Sequence, residues 1–484
     1  MKELNMKTIF EKSVPGQSTV QLPKSDVPEI KINSLIPSAY QRKKLNLPVV
    51  SKINVVRHYT KLSQRNFGVD QGFYPLGSCT MKYNPRINED MAALPGFCYP
   101  HPLADDKDAQ GGLEIYYELE QYLKEITGFD AVVLQPAAGA HGEATGAMLM
   151  KAYFENRKEK RTKMLIPDAA HGTNPASSSL CGFESITIKS NAEGGIDLKD
   201  LEKHMDKETV GLMLTNPNTL GLFERNIKKV AKIIHKKGGL LYCDGANMNP
   251  MLGVTRPGDQ GFDLIQLNLH KSFSTPHGGG GPGSGPVGVN KKLIPFIPTP
   301  IIKKRKNGFY YRDYSPQKSI GKVRAFMGNF GVIVKAYTYI RSLGSNGLRR
   351  AGQHSVLNAN YIRVKLMPHY HLAYNRICMH ESVFSDKKQQ KYDVSTLDIA
   401  KRLLDYGYHA PTIYFPMIVH GAIMIEPNET ESKSTIDGFI DAMIQIAKES
   451  KENPELVKSA PNNMPITRVN ELKAARDPNL KWEE

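Results

Sequence analysis

Between residues 131 and 289, short apolar runs alternate with segments of helical period. The runs are AVVLQ (131–135), MLIPD (164–168), SITIK (185–189), VGLMLT (210–215), LLYCD (240–244), LIQLN (264–268) and PVGV (286–289), each with the length and aliphatic content of a buried strand. Between them EATGAMLMKAYFENR, DLKDLEKHM and RNIKKVAKIIHKK return an apolar residue every three or four positions, and Asp197 stands where an N-cap would. Strands that alternate with helices predict a mostly parallel sheet covered on both faces. Upstream, Ile115, Leu119, Tyr122, Leu123 and Ile126 mark a helix that Gly128 is placed to end. From about residue 330 the pattern changes to FGVIVKAYTYIRSL, SVLNANYIRVKLM and TIDGFIDAMIQIAKES, long helices with short strands between them. The expected division is an N-terminal arm and entrance segment over 1–100, rich in proline and polar residues, a large α/β domain over 101–330 and a smaller α+β domain over 331–484.

Composition narrows the class. A chain of 484 residues with 40% hydrophobic content can bury a large core. No run approaches the roughly 20 apolar residues of a membrane span, and MKELNMKTIFEKSV has no signal-peptide core, so a cytoplasmic location is expected. The five cysteines, Cys79, Cys98, Cys181, Cys243 and Cys378, are scattered without a CxxC pair, which argues against a disulfide framework and a structural zinc site. Cys79 and Cys243 read as small buried hydrophobes. The net charge of +16 is spread in short runs such as KKRKN, a pattern that favours a solvated face and names no partner; no nucleic-acid or membrane partner and no metal is expected.

The stretch NLHKSFSTPHGGGGPGSGPVGV (268–289) carries the chemistry. A phosphate-binding P-loop would put its glycines before the lysine, and a dinucleotide fingerprint would follow the first strand and open a helix; this run does neither. What remains is a lysine at a strand end whose amine does chemistry beside glycine backbone that lets a bound group come close. A Schiff-base lysine working with a pyridine cofactor needs an acid for the ring nitrogen, and Asp244 ends the preceding strand. Gly139 and Ala140 in QPAAGAHGEATG open a helix after a strand, as a phosphate site requires, and His171 in PDAAHGTNPAS lies just past another strand end, where it could stack on a ring.

LQPAAGAHGE, PDAAHGTNPAS, LTNPNTLGLFE, DGANMNP and the lysine-glycine stretch together resemble the glycine decarboxylase P-protein family, in particular the second subunit of its two-chain form. RHYTKLSQRNFGVDQGFYPLGSCTMKYNPR and HAPTIYFP extend the resemblance over most of the chain. It implies a fold-type I pyridoxal 5'-phosphate enzyme, like aspartate aminotransferase, with Lys271 as the Schiff-base lysine, Asp244 at the ring nitrogen, His171 on the ring and Gly139, Ala140 and His141 about the phosphate. Asn216, Thr219, Ala246 and His270 are implied as further contacts. Gly279 and Gly280 would approach the phosphate across a subunit boundary. Ser78, Thr80 and Lys82 in PLGSCTMK are entrance candidates, and His380 and Glu381 in CMHES stay open between packing and function.

The implied reaction is decarboxylation of glycine with transfer of the aminomethyl group to the lipoyl arm of an H protein, in an α2β2 heterotetramer with a homologous subunit 1. Another fold-type I decarboxylase, a glycine aldol-type enzyme or a non-catalytic scaffold subunit are the alternatives, since cofactor residues alone do not select a substrate. Ser272, Ser382 and Asn428 stand where the family pattern has threonine, phenylalanine and threonine.

Overall fold

Each of the seven apolar runs forms a strand, and all seven lie in one sheet of a computed structural model that describes residues 6–17, 23–43, 45–277 and 283–481. The strands are β1 (Ala131–Val133), β2 (Lys163–Pro167), β3 (Glu184–Ile188), β4 (Thr209–Thr215), β5 (Leu240–Gly245), β6 (Leu264–Leu267) and β7 (Val287–Val289). Their order is β1-β7-β6-β5-β4-β2-β3, parallel wherever β2 to β6 pair. β7 runs antiparallel to both neighbours, so the chain returns beside β6 without a helical crossover.

Side chains alternate across the sheet into two cores. On β5, Leu241 and Cys243 enter one cluster and Leu240 and Tyr242 the other; on β6, Ile265 and Leu267 oppose Leu264. The helix Gln110–Thr127 buries Ile115, Leu119 and Leu123 and stops at Gly128, whose φ of 77° suits glycine. Asp197 caps the helix Leu198–His204 by accepting from the N–H groups of Lys199 and Asp200.

β8 (Ile301–Lys304) and β9 (Tyr310–Asp313) make a hairpin. The helical run Phe330–Leu366 follows, interrupted at Gly344 (φ 62°), where the sequence pattern also divides in two. A second, antiparallel sheet orders β10 (His371–Leu372), β11 (Ser382–Ser385), β13 (Ala422–Ile425) and β12 (Thr412–Ile413), and the helix Lys433–Glu452 packs Phe439, Ile440, Met443 and Ile446 into the core that includes Phe384 and Ile423.

The chain separates into two compact units, residues 1–68 with 460–484, and residues 69–459. The boundary at 68/69 falls inside the expected arm, and everything described below for the site belongs to the second unit. In the first unit, Ser51 caps the helix Lys52–Ser63 and the Lys12 amine meets His58 Nδ1 at 2.8 Å. Among the described residues, no helix is long and apolar enough to cross a membrane.

Candidate active site

The carboxyl ends of the parallel strands bring the sequence candidates to one side of the sheet. Asp244 is the last residue but one of β5, His171 and Lys271 each follow a strand end by four residues, and Gly139 begins a helix after β1. Lys271 sits on the one-turn helix Leu269–Ser272, and its amine donates to the carbonyl of Ser78 at 2.6 Å. The Ser78 hydroxyl meets His171 Nε2 at 2.5 Å, and His171 Nδ1 meets Asp244 Oδ2 at 2.7 Å. Lys271, Ser78, His171 and Asp244 thus form one connected set.

Asp244 is fully buried and saturated with donors. Oδ2 also accepts from Asn174 Nδ2 at 3.2 Å and Thr215 Oγ1 at 3.0 Å, while Oδ1 accepts from the Ala246 N–H at 3.0 Å and from Gln266 Nε2. Burial acts to raise its pKa, but His171 and these hydrogen bonds outweigh it and hold the carboxyl well below the usual carboxylate range. A charged acid is therefore built into the floor of the site. Glu143 lies beside it, accepting from Thr173 Oγ1 at 2.8 Å and Asn174 Nδ2 at 3.0 Å; burial, then repulsion from Asp244, pushes its carboxyl up to about 7.

A second patch surrounds the N-terminus of the helix Gly139–Asn156. Here the backbone is drawn in tightly. A Cβ on Gly139 would meet Asn268 Nδ2 at 2.6 Å, and one on Gly285 would meet the Ala138 carbonyl at 2.0 Å. Asn268 Nδ2 contacts His270 Nε2 at 3.2 Å, and the Ser284 N–H reaches His270 Nδ1 at 3.4 Å. Burial, then His277 and Lys271, pushes His270 down to about 3, so it is a neutral ring. His141 Nδ1 accepts from the Ala137 N–H at 3.1 Å and closes the turn that starts the helix, whereas Ala140 is exposed.

Other candidates face neighbouring segments. Asn216 Oδ1 accepts from the Glu224 N–H at 3.0 Å and its Nδ2 reaches Gln260; Thr219 Oγ1 donates to the Ala169 carbonyl at 2.8 Å, bracing the turn before His171. Lys82 is buried in an ion pair with Glu429 at 2.7 Å and also donates to Asn249 Oδ1 and to the Ser272 carbonyl. Thr80 binds Glu426. Gly279 and Gly280 lie outside the described residues. Cys243 is buried as expected; Cys79 is partly exposed, a correction that follows from its position on the Ser78–Thr80 turn, and burial still raises its thiol pKa.

Several participants escape a reading of the sequence. Glu143 is a lone acid within the otherwise apolar GEATGAMLM helix, which was a usable signal; Gln266 and Thr215 lie inside strands and are reached only through pairing with β5. Asn428, with φ 51°, occupies a left-handed position that asparagine tolerates better than a β-branched residue, a physical reason for its departure from threonine.

Comparison with known proteins agrees with this geometry. The family described as "Glycine dehydrogenase, C-terminal domain" matches residues 351–467, and "Aminotransferase class-V" matches 141–280. A "Probable glycine dehydrogenase (decarboxylating) subunit 2" of Bacillus cytotoxicus is 58% identical over 486 residues, covering 100% of this chain and 99% of its own length. The chain belongs to the glycine dehydrogenase (decarboxylating) subunit 2 family. A family member of the same printed name from Caldanaerobacter subterraneus subsp. tengcongensis is 57% identical, with 100% and 99% coverage. Among solved structures, glycine decarboxylase (P-protein) in inhibitor-bound form superposes with a TM-score of 0.73 at 18% identity, covering 86% of this chain and 94% of that one. A cysteine desulfurase from Thermococcus onnurineus NA1 gives 0.60 at 16% identity, with 78% and 95% coverage. The fold is fold-type I of the pyridoxal-phosphate enzymes.

The residues present fit that cofactor. Asn268 Oδ1, Ser272 Oγ, Thr275 Oγ1 and Ser284 Oγ are buried beside Lys271 and the helix N-terminus without a hydrogen-bond partner among the described residues. Buried polar atoms of this kind call for a polar occupant. Donor hydroxyls, helix N–H groups, a free amine and an ionised acid are what a phosphate, an aldehyde and a pyridinium need.

Proposed function

We propose that this chain carries the decarboxylating site of a glycine dehydrogenase, with pyridoxal 5'-phosphate as its cofactor, and passes the aminomethyl group of glycine to the lipoyl arm of an H protein. The observation that carries the reading is the ionised, donor-saturated Asp244, linked through His171 and Ser78 to the Lys271 amine. When bound, the cofactor supplies an electron sink for the pair that departing carbon dioxide leaves on the α-carbon. The charge of Asp244 would keep a proton on the pyridine nitrogen, and its donors would keep Asp244 from taking that proton itself. Lys271 is the covalent holder. His171 is oriented from both ring nitrogens, so its plane is fixed before any ligand arrives. The phosphate belongs to the Gly139 turn with Ser284 and His270.

The overall transfer balances. The bond from the α-carbon to the carboxylate breaks, a carbon–sulfur bond forms, the lipoyl disulfide opens, and the second sulfur takes a proton. An arm on a separate protein needs an open approach, and the net charge of +16 would speed encounter with an acidic carrier. In the 1–68 unit Val27, Ile30, Leu35, Tyr40, Leu45 and Leu47 are exposed, which supports burial against a companion subunit in an α2β2 assembly. The cytoplasm is the proposed location.

The test is borohydride reduction of the chain with companion subunit and cofactor, peptide mapping of the fixed cofactor, and a glycine-dependent carbon dioxide release assay with and without lipoylated carrier. Cofactor fixed on Lys271 and release that requires the carrier are expected. Cofactor fixed elsewhere, or release indifferent to the carrier, overturns the reading.

A further inference from the structure

Two more buried carboxylates, Glu381 and Glu426, stand near Lys271. The antiparallel register that pairs Ser382 with Ile425 sets Glu381 across from Glu426, a like-charged cross-strand pair that costs stability unless something offsets it. Both are fully buried, and their carboxylate oxygens lie within 4.8 Å of each other and of a His380 ring nitrogen.

What faces them is the turn Ser78–Thr80. Ser78 (φ 64°) and Thr80 (φ 50°) hold left-handed backbone that L-residues with side chains rarely adopt. Three consecutive N–H groups point at the acids: Ser78 donates to Glu381 Oε2 at 2.7 Å, and Cys79 and Thr80 donate to Glu426 Oε2 at 3.1 and 2.8 Å. Thr80 Oγ1 adds a bond to Glu426 Oε1 at 2.6 Å. The carbonyl of that same Ser78 accepts from Lys271, and its hydroxyl meets His171.

The two acids are not equivalent. Glu426 is bonded through both oxygens, whereas Glu381 Oε1 has no hydrogen-bond partner among the described residues and stands 3.7 Å from His380 Nε2, which has none among them either. A divalent cation could be imagined among the three side chains, but the Glu426 oxygens are already committed to three donors. Protonation of one member relieves the like-charge pair with groups already in place. Burial, then Glu426, pushes Glu381 well above the usual carboxylate range; burial also raises Glu426, against the Thr80 hydrogen bonds that lower it; and burial, then Lys271 and His171, pushes His380 down to about 3, leaving a neutral ring.

We propose that Glu381 and Glu426 are positioning residues, Glu426 bonded to the Ser78–Thr80 turn through both oxygens and Glu381 through one, and that they hold this turn so that it sets the Lys271 amine and the His171 ring. The proposal rests on reading Lys271 as the reactive amine, but its test does not require turnover. In the full chain freed of cofactor, amide hydrogen exchange at residues 78–80 and acetic anhydride labelling of Lys271 are compared among Glu381→Gln, Glu426→Gln, Glu381→Ala and Thr80→Val. Glu381→Gln keeps an acceptor and mimics a neutral acid, so both readouts stay within about twofold of the parent. Glu426→Gln turns an NH2 group toward donors, and Glu381→Ala removes an acceptor, so exchange at the turn rises at least about tenfold and Lys271 labelling changes at least about threefold. Thr80→Val keeps the branched shape and loses only the hydroxyl bond, with exchange rising by about threefold or more. Equal behaviour of the two glutamine variants overturns the unequal hold of the two acids on the turn. A parent-like turn and parent-like Lys271 labelling in Glu426→Gln and Thr80→Val overturn the positioning role, and they do so even if Glu381→Ala does not fold.

Discussion

Asp244 and Glu381 are both fully buried carboxylates near one lysine, yet they are driven in opposite directions. Asp244 is met by five donors, from the His171–Asn174 segment, β4, the turn after β5 and β6, and is held well below the usual carboxylate range; Glu381 is met by one and is pushed well above it. Burial penalises both to begin with. Each has a second carboxylate beside it, Glu143 for one and Glu426 for the other, so the difference lies in the count of hydrogen-bond donors, His171 among them. One acid supplies charge to a ligand and the other supplies shape to a turn.

The largest test of that contrast removes the group both acids share. Lys271→Ala is expected to cut glycine-dependent carbon dioxide release by about 10³-fold or more while leaving the far-ultraviolet spectrum unchanged. Asp244→Asn comes next, because an amide cannot hold the ring proton and turns a donor against donors. Release should fall by about 10²-fold or more, a far greater loss than the same chemical change causes at Glu381. If the two amide variants lose activity alike, the contrast is wrong.

Glu143 provides a pH test of the Asp244 side. Its folded pKa is raised to about 7, against an ordinary value near 4.5. The folded chain therefore takes up this proton before the unfolded chain as pH falls from 7 to 4.5, and the native state gains about 1.4 kcal/mol per pH unit across that window. Glu143→Gln lacks this response. The stability of the variant relative to the parent should rise from pH 4.5 to 7 and level above it, as read from denaturant unfolding at each pH. Ser78→Ala is the mildest change: it deletes the bond to His171 and keeps the carbonyl that holds Lys271, so release should fall by about tenfold or less.

Much of this architecture is written locally. The strands of the main sheet other than the edge strand β3, where Glu184 and Thr187 are exposed, are largely buried on both faces and so show as short aliphatic runs, and Gly128 and Asp197 mark helix ends by their own chemistry. Lys271, Asp244 and His171 were legible because strand ends of a parallel sheet converge. Glu426 was not, because nothing in IEPNETE tells an exposed acid from one that accepts three hydrogen bonds from a segment about 350 residues earlier. The antiparallel entry of β7 was equally silent, since PVGV reads the same in either direction of pairing.

The helix Gly139–Asn156 is pressed onto the sheet by glycines. A Cβ on Gly142 would meet the Gly285 carbonyl at 2.7 Å, and one on Gly146 would meet the Tyr242 ring at 2.2 Å. Any side chain at either position must lift the helix, and with it the N–H groups that start at Gly139. Such a lesion would weaken the grip on an anion while sparing the lysine, the acid and the histidine. By mass action an excess of the ligand would then restore the folded, loaded state. In a cell, substitutions at Gly142 and Gly146 would be conditional alleles, silent when the vitamin that supplies the cofactor is plentiful and defective when it is scarce.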